Sequence, residues 1–220
     1  MLPKDIVRGV SSKVSGSRIN ADTFKDEDYK EESQDYLDKR SSRLFEKDMN
    51  RCSDNDELVS GEFIDFDGDR FYVIRNVDKM PPFFISVVSD SDHWLFVSST
   101  GGLTAGRVSP DTALFPYVTV DKIHDSAVHT GCKTILQVNL GAKHYEWEPF
   151  NMEHDGLYET SRHLYKNLLG NKLCFEEINH DLQLVFRYTW ATSDEFGFIR
   201  KCQLQNLGDA NVNVEMVDGL

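Results

Sequence analysis

Leu182, Leu184, Phe186, Tyr188 and Trp190 alternate with Gln183, Val185, Arg187 and Thr189. A period of two places the large apolar groups on one face of a strand and a mainly polar set on the other. The same alternation sets Leu136, Val138 and Leu140 against Gln137 and Asn139, and Val212, Val214 and Met216 against Asn213 and Glu215. Residues 163–168 and 172–178 flank Leu169-Gly170-Asn171, and residues 62–66 and 70–74 flank Asp67-Gly68. Both spacings predict hairpins, the second through a dipeptide suited to positive φ. Short strands, turn signals between them and no long helical period predict a mainly β chain folded as a large antiparallel super-sandwich.

Residues 1–60 follow a different pattern. Helix-forming residues occupy 23–30 and 39–49, but Ser33, Ser41 and Ser42 interrupt them, and Phe24, Tyr29, Tyr36, Leu37, Leu44 and Phe45 hold no sustained helical period. The expectation is a polar, partly helical arm over 1–60 and a sandwich domain over 61–220. Strand character runs almost to Leu220 with no closing turn, which suits either the first part of a longer enzyme or a C-terminal edge strand.

Composition narrows the partners. The chain has 220 residues and a formal net charge of −13, which disfavours a binder of phosphate backbones and so of nucleic acid. Cys52, Cys132, Cys174 and Cys202 are widely spaced and form no C-x-x-C pair. The first ten residues lack the apolar run of a secretory signal, and no run of about eighteen apolar residues suits a membrane span. A cytoplasmic setting with reduced, buried thiols is expected. The segment 65–69 begins like a calcium loop, but the sixth position is not glycine and the twelfth is Asn76. No metal or cofactor is implied.

Candidate chemistry concentrates in residues 91–125. After the short aromatic strand at Trp94 come Gly101-Gly102, Gly106-Arg107, Ser109-Pro110-Asp111 and Phe115-Pro116-Tyr117. The spacing predicts a long ordered loop with little regular structure, of the kind that carries polar small-molecule sites. Arg107, Asp111, Tyr117, Asp121 and Lys122 are its candidate carbohydrate- or phosphate-binding residues: the charged groups for sugar hydroxyls or phosphate, the ring for stacking. A Walker loop is excluded, because Arg107 is followed by Val108 and soon by Pro110 instead of the Lys-Ser/Thr pair. The glycines either expose backbone N–H groups to an anion or allow tight turning. Trp94, Trp147 and Trp190 belong either to the core or to a sugar-stacking surface. Glu146 and Glu148 read as one face of a strand, and His124 and His129 as loop histidines near Asp121 and Asp125. No Gly-x-Ser-x-Gly elbow and no Cys–His pair supports acyl chemistry, and no catalytic residue is assigned.

Trp94-Leu95-Phe96-Val97-Ser98, Gly101-Gly102-Leu103-Thr104-Ala105-Gly106-Arg107, Asp111-Thr112-Ala113-Leu114-Phe115-Pro116-Tyr117 and Asp121-Lys122-Ile123 follow one another. Tyr188-Thr189-Trp190-Ala191-Thr192-Ser193 and Phe196-Gly197-Phe198-Ile199-Arg200 come later. This succession resembles the N-terminal β-sandwich of large proteins related to cellobiose phosphorylase, over about residues 61–220. The resemblance implies a galactose-mutarotase-like super-sandwich followed by a helical linker and an (α/α)₆ barrel. The catalytic acid and most phosphate-binding groups would sit in the barrel, and sandwich loops would help to shape the sugar site, often across a dimer. The implied partners are an oligosaccharide or sugar phosphate, the C-terminal catalytic barrel of the same polypeptide, and a second copy of the chain. Phosphorolysis and hydrolysis are both open. The alternatives are a self-sufficient mutarotase-like epimerase or lyase, and a non-catalytic dimerisation module.

Overall fold

The computed structural model describes residues 58–114, 117–119 and 121–220, which belong to one unit, Arg43–Leu220. The arm expected over residues 1–60 lies outside the described residues apart from Leu58, Val59 and Ser60, as do Cys52, Phe115, Pro116 and Val120.

Twelve strands occur among the described residues: β1 Ser60–Phe66, β2 Asp69–Arg75, β3 Phe84–Val87, β4 His93–Ser98, β5 Leu103–Arg107, β6 Lys133–Leu140, β7 Lys143–Trp147, β8 Thr160–Asn167, β9 Lys172–Asn179, β10 Leu184–Ser193, β11 Gly197–Asn206 and β12 Asn213–Gly219. A single helical turn, α1 Ala127–Thr130, precedes β6. No helix among the described residues is long and apolar enough to cross a membrane.

Every strand pair is antiparallel. One sheet has six strands in the order β1-β2-β8-β9-β10-β11, and two smaller ones run β3-β4-β5 and β12-β6-β7. The main core joins all three. Phe175, Phe186, Tyr188 and Trp190 from the large sheet pack with Leu95, Val97 and Leu103 from one small sheet and with Leu136, Val138 and Trp147 from the other. The two small sheets therefore form the second layer of a two-layer β fold. Each side chain sealed in this way contributes about 1.5–3 kcal/mol.

The hairpin readings hold in detail. Asp67 and Gly68 adopt φ of 49° and 78°, the two positive values that a two-residue turn needs between β1 and β2. Gly170, at φ 75°, turns β8 into β9.

Four expectations change. The segment from 91 to 125 is not one long loop: Leu103–Arg107 forms β5 and pairs with β4, leaving a tight turn at 99–102 and a shorter irregular passage from Val108. Glycine does not break β5, because Gly106 lies under the Trp94 ring, where a Cβ would come within 2.5 Å of it. Met216 is half exposed on the edge strand β12, while Val212 and Val214 pack against the core. Glu148 lies beyond the end of β7 and pairs with Lys133 at 2.7 Å, so it does not share a strand face with Glu146.

The large sheet is also apolar on its second face. Phe71, Val73, Tyr165 and Cys174 form a separate buried cluster with Ile64 and Phe66 packed against it. Here Glu176 accepts the Tyr165 hydroxyl at 2.6 Å and the Arg187 guanidinium, so its buried charge is paired.

Candidate functional site

β10 and β11 run antiparallel with Trp190 opposite Arg200 and Thr192 opposite Phe198. Strand alternation sends Trp190, Phe198 and Arg200 toward the second layer. The turn between these strands carries Asp194, Glu195 and Phe196 and ends at Gly197, which takes φ 73°. Across from it stand Leu103, Ala105 and Arg107 of β5, with His93 at the start of β4. These residues line a groove of about 510 Å³.

Its apolar wall is built from rings. Phe198 meets His93 edge to face at 5.1 Å and 79°, and Phe196 is largely exposed at the mouth. His93 is buried and hydrogen-bonded through Nδ1 to the Ser91 hydroxyl at 2.6 Å. The Trp190 ring is buried too, and neither its indole N–H nor the Nε of Arg200 has a hydrogen-bond partner among the described residues.

Two arginines supply the polar side, and their settings differ. Arg200 is fixed: Nη1 donates to Asp218 at 2.6 Å, Nη2 donates to the Thr134 hydroxyl at 3.2 Å, and the guanidinium lies 5.0 Å from the Tyr188 ring centre. Burial alone raises the Asp218 carboxyl, but hydrogen bonds from Arg200 and Thr134 outweigh it and hold the group below the usual carboxylate range. Arg107 is loosely held: its one ion pair among the described residues is a 3.5 Å contact to Asp92, with both side chains more than half exposed. Such a pair contributes little to stability and exchanges readily for a ligand.

The backbone next to Arg107 is strained. Val108 takes φ 62°, a left-handed value that a β-branched residue rarely adopts. The Val108 N–H donates to the Asp92 carbonyl at 2.8 Å, and Ser109 N–H reaches back to the Arg107 carbonyl at 2.6 Å, closing a three-residue turn. Strain of this kind concentrates at sites where surrounding structure fixes a functional side chain.

Of the five residues singled out from sequence, Arg107 lines the groove and the other four do not. Asp111 sits exposed in a 3₁₀ turn, Pro110–Thr112. Tyr117 is half exposed and lies edge-on to Trp94 at 6.1 Å. Asp121 is exposed, and a hydrogen bond from Thr119 keeps its carboxyl below the usual range. Lys122 is exposed before the 3₁₀ turn Ile123–Asp125. The glycines serve packing and turning: Gly101 takes φ 94°, and a Cβ on Gly102 would stand 2.2 Å from the Ile123 carbonyl oxygen. His124 is engaged with the Ser98 hydroxyl at 2.7 Å. Among the described residues no cluster of three His, Cys, Asp or Glu side chains could hold a metal ion.

Sequence reasoning missed Asp194, Glu195, Phe196, Phe198 and Arg200 as site residues. Asp194 and Glu195 precede Gly197 and resemble an ordinary hairpin connection; only the pairing of β10 with β11 brings them beside β5. Nucleophilic thiol chemistry has no support nearby. Burial pushes the Cys132 and Cys202 thiols up to about 11, so both are protonated at neutral pH.

No protein-family model matches the chain, and no curated protein matches it.

Proposed function

We propose that this domain binds a saccharide in the groove between β5 and the β10–β11 hairpin, and shapes a substrate site for catalytic groups elsewhere in its polypeptide. The observation that carries the reading is the pairing of Arg107, a loosely held guanidinium, with the rings of Phe196, Phe198 and Trp190 in one cavity of about 510 Å³. Sugars offer apolar C–H faces to rings and hydroxyls to charged forks. Asp194 and Glu195 add acceptors at the same mouth. The resemblance to sandwich domains of cellobiose phosphorylase-related enzymes supports the same substrate class.

Binding is favoured over bond cleavage for a geometric reason. Glycoside hydrolysis uses two carboxyl groups flanking the scissile bond. The groove's two acidic side chains come from successive residues of one turn, and the facing wall of His93, Leu103, Ala105 and Arg107 carries no carboxyl side chain. The chain alone is therefore expected to bind without turnover.

The test is a titration of the chain with cellobiose and with glucose 1-phosphate, followed by amide chemical shifts. The expected shifts cluster at residues 103–107 and 194–200, and Arg107→Ala and Phe196→Ala each abolish them while leaving the fold intact. Shifts confined to other residues, or saturation unaltered in both variants, overturn the reading.

A further inference from the structure

A second recess, of about 250 Å³, shares no lining residue with the groove. The 3₁₀ turn Val77–Lys79, the β4–β5 turn and the passage after β7 enclose it. Its volume is below that of a drug-sized site, so the occupant is compact.

The floor is aromatic. Phe175 and Tyr188 stack at 4.8 Å and 15°, and Phe150 stands edge-on to Tyr188 at 5.2 Å. The rim is charged. Arg162 donates from Nε to the buried Glu177 at 2.7 Å, and from Nη2 to Asp155 at 2.9 Å and to the Asn151 carbonyl at 3.4 Å. None of these bonds uses Nη1. Asp78 lies on the rim with Lys79 at 3.3 Å. Burial opposes the charge on Arg162, but the Glu177 and Asp155 carboxylates outweigh that cost, and Asp78 adds to them.

Counting charges decides the polarity of the ligand. The carboxylates of Glu177, Asp155 and Asp78 face the cations of Arg162 and Lys79, which leaves one negative charge in excess. Glu177 is sealed beneath Arg162, whereas Asp155 and Asp78 keep exposed surface. An anion would meet this excess at close range in a partly desolvated site. A cation meets carboxylates at the rim, which recognise ammonium groups through charged hydrogen bonds.

We propose that this recess binds a compact ligand bearing an ammonium group beside a hydroxyl, as in an amino sugar or amino alcohol. The ammonium sits against Asp78 and Asp155 over the aromatic floor, and the hydroxyl oxygen accepts from Nη1 of Arg162. A neutral sugar satisfies only the second of these contacts, and a simple carboxylate opposes the first.

Calorimetric titration of the 220-residue chain with glucosamine, ethanolamine, glucose and acetate, followed in parallel by amide shifts, tests this. Glucosamine binds more tightly than glucose, acetate does not bind, and shifts appear around Thr100, Met152 and Asp155. Binding of ethanolamine as well shows that the ammonium–hydroxyl pair suffices; binding of glucosamine without ethanolamine assigns the ring to the aromatic floor. Asp78→Asn, at a partly exposed position, weakens glucosamine at the recess about tenfold, as loss of a charged hydrogen bond does, while Arg107→Ala in the groove leaves the shifts around Thr100, Met152 and Asp155 unaltered. Equal affinity for glucose and glucosamine, an unchanged constant in Asp78→Asn, or tighter binding of acetate overturns the proposal. Loss of binding in Arg107→Ala with retention in Asp78→Asn assigns the ligand to the groove, which also overturns it.

Discussion

Trp147 donates its indole N–H to Oε1 of Glu177 at 2.9 Å, joining the end of β7 in a small sheet to β9 in the large one. The second oxygen of Glu177 accepts the Phe150 N–H at 2.7 Å and the Nε of Arg162 at 2.7 Å. One buried carboxylate thus satisfies three donors and holds Phe150 at φ 65°, a left-handed value that a large side chain reaches only when its surroundings impose it. The wall of the small recess depends on that turn.

Glu177→Gln removes the charge that neutralises Arg162 and turns one acceptor oxygen into a donor facing other donors. Breaking a buried ion pair from one side costs about 3–5 kcal/mol, and a loss near 3 kcal/mol is expected in urea denaturation. The Phe150 turn should loosen as well, seen as faster amide exchange at 148–152. A stability change under about 1 kcal/mol, within the range of an ordinary neutral hydrogen bond, would show that Glu177 is not the hub the geometry makes it.

His163 supplies a pH dependence. Its Nδ1 accepts the backbone N–H of Asn76 at 3.1 Å, which fixes the neutral ring with its proton on Nε2. Burial lowers its pKa below the ordinary histidine value, and the nearby Glu176 carboxylate opposes this without reversing it. The folded state therefore binds this proton less readily than the unfolded state, so the contribution to stability is full above about pH 6.5 and is lost as the pH falls through the lower folded value. Following the ring protons of His163 by NMR should give a midpoint below about 6.5, with denaturant midpoints declining over the same interval. A midpoint above the ordinary value would contradict the burial argument.

How far these features were legible in the chain depended on the distance over which they are encoded. β10 was readable because a period of two with large rings on one face admits few other structures. β5 was not, because Thr104-Ala105-Gly106 carries no bulky alternation; its small residues make sense only once the Trp94 ring is seen lying across Gly106. Arg107 stood out as a cation beside glycines. The other half of the groove did not, since Phe196, Phe198 and Arg200 reach Leu103 and Ala105 only through the stacking of one layer on the other. The second apolar face of the large sheet was hidden for a similar reason: Tyr165 and Cys174 are register partners across β8 and β9, and neither strand alone reveals the other.

Gly106 is where packing and site meet, and it gives the sharpest steric test. A Cβ there would lie 2.5 Å from Cζ2 of Trp94 on one side and 2.8 Å from the Cα of Ala113 on the other. The ring packs against Phe96 and Tyr117, and Ala113 is held by a bridge to Gly106 and by the Leu114 N–H donating to the Ala105 carbonyl at 2.8 Å. Gly106→Ala is therefore expected to cost about 1–3 kcal/mol, the range for overpacking a filled site, and to shift the tryptophan emission. Gly141→Ala separates steric from conformational cost: that glycine takes φ 65° and an added methyl carbon would meet nothing within 4 Å, so only the left-handed penalty of about 1–2 kcal/mol applies and the emission stays unchanged. Because Arg107 follows Gly106 directly, the first variant should also weaken saccharide binding while the second does not. Identical emission and identical saccharide affinity in the two variants would mean that the Trp94–Gly106 contact neither constrains β5 nor positions Arg107.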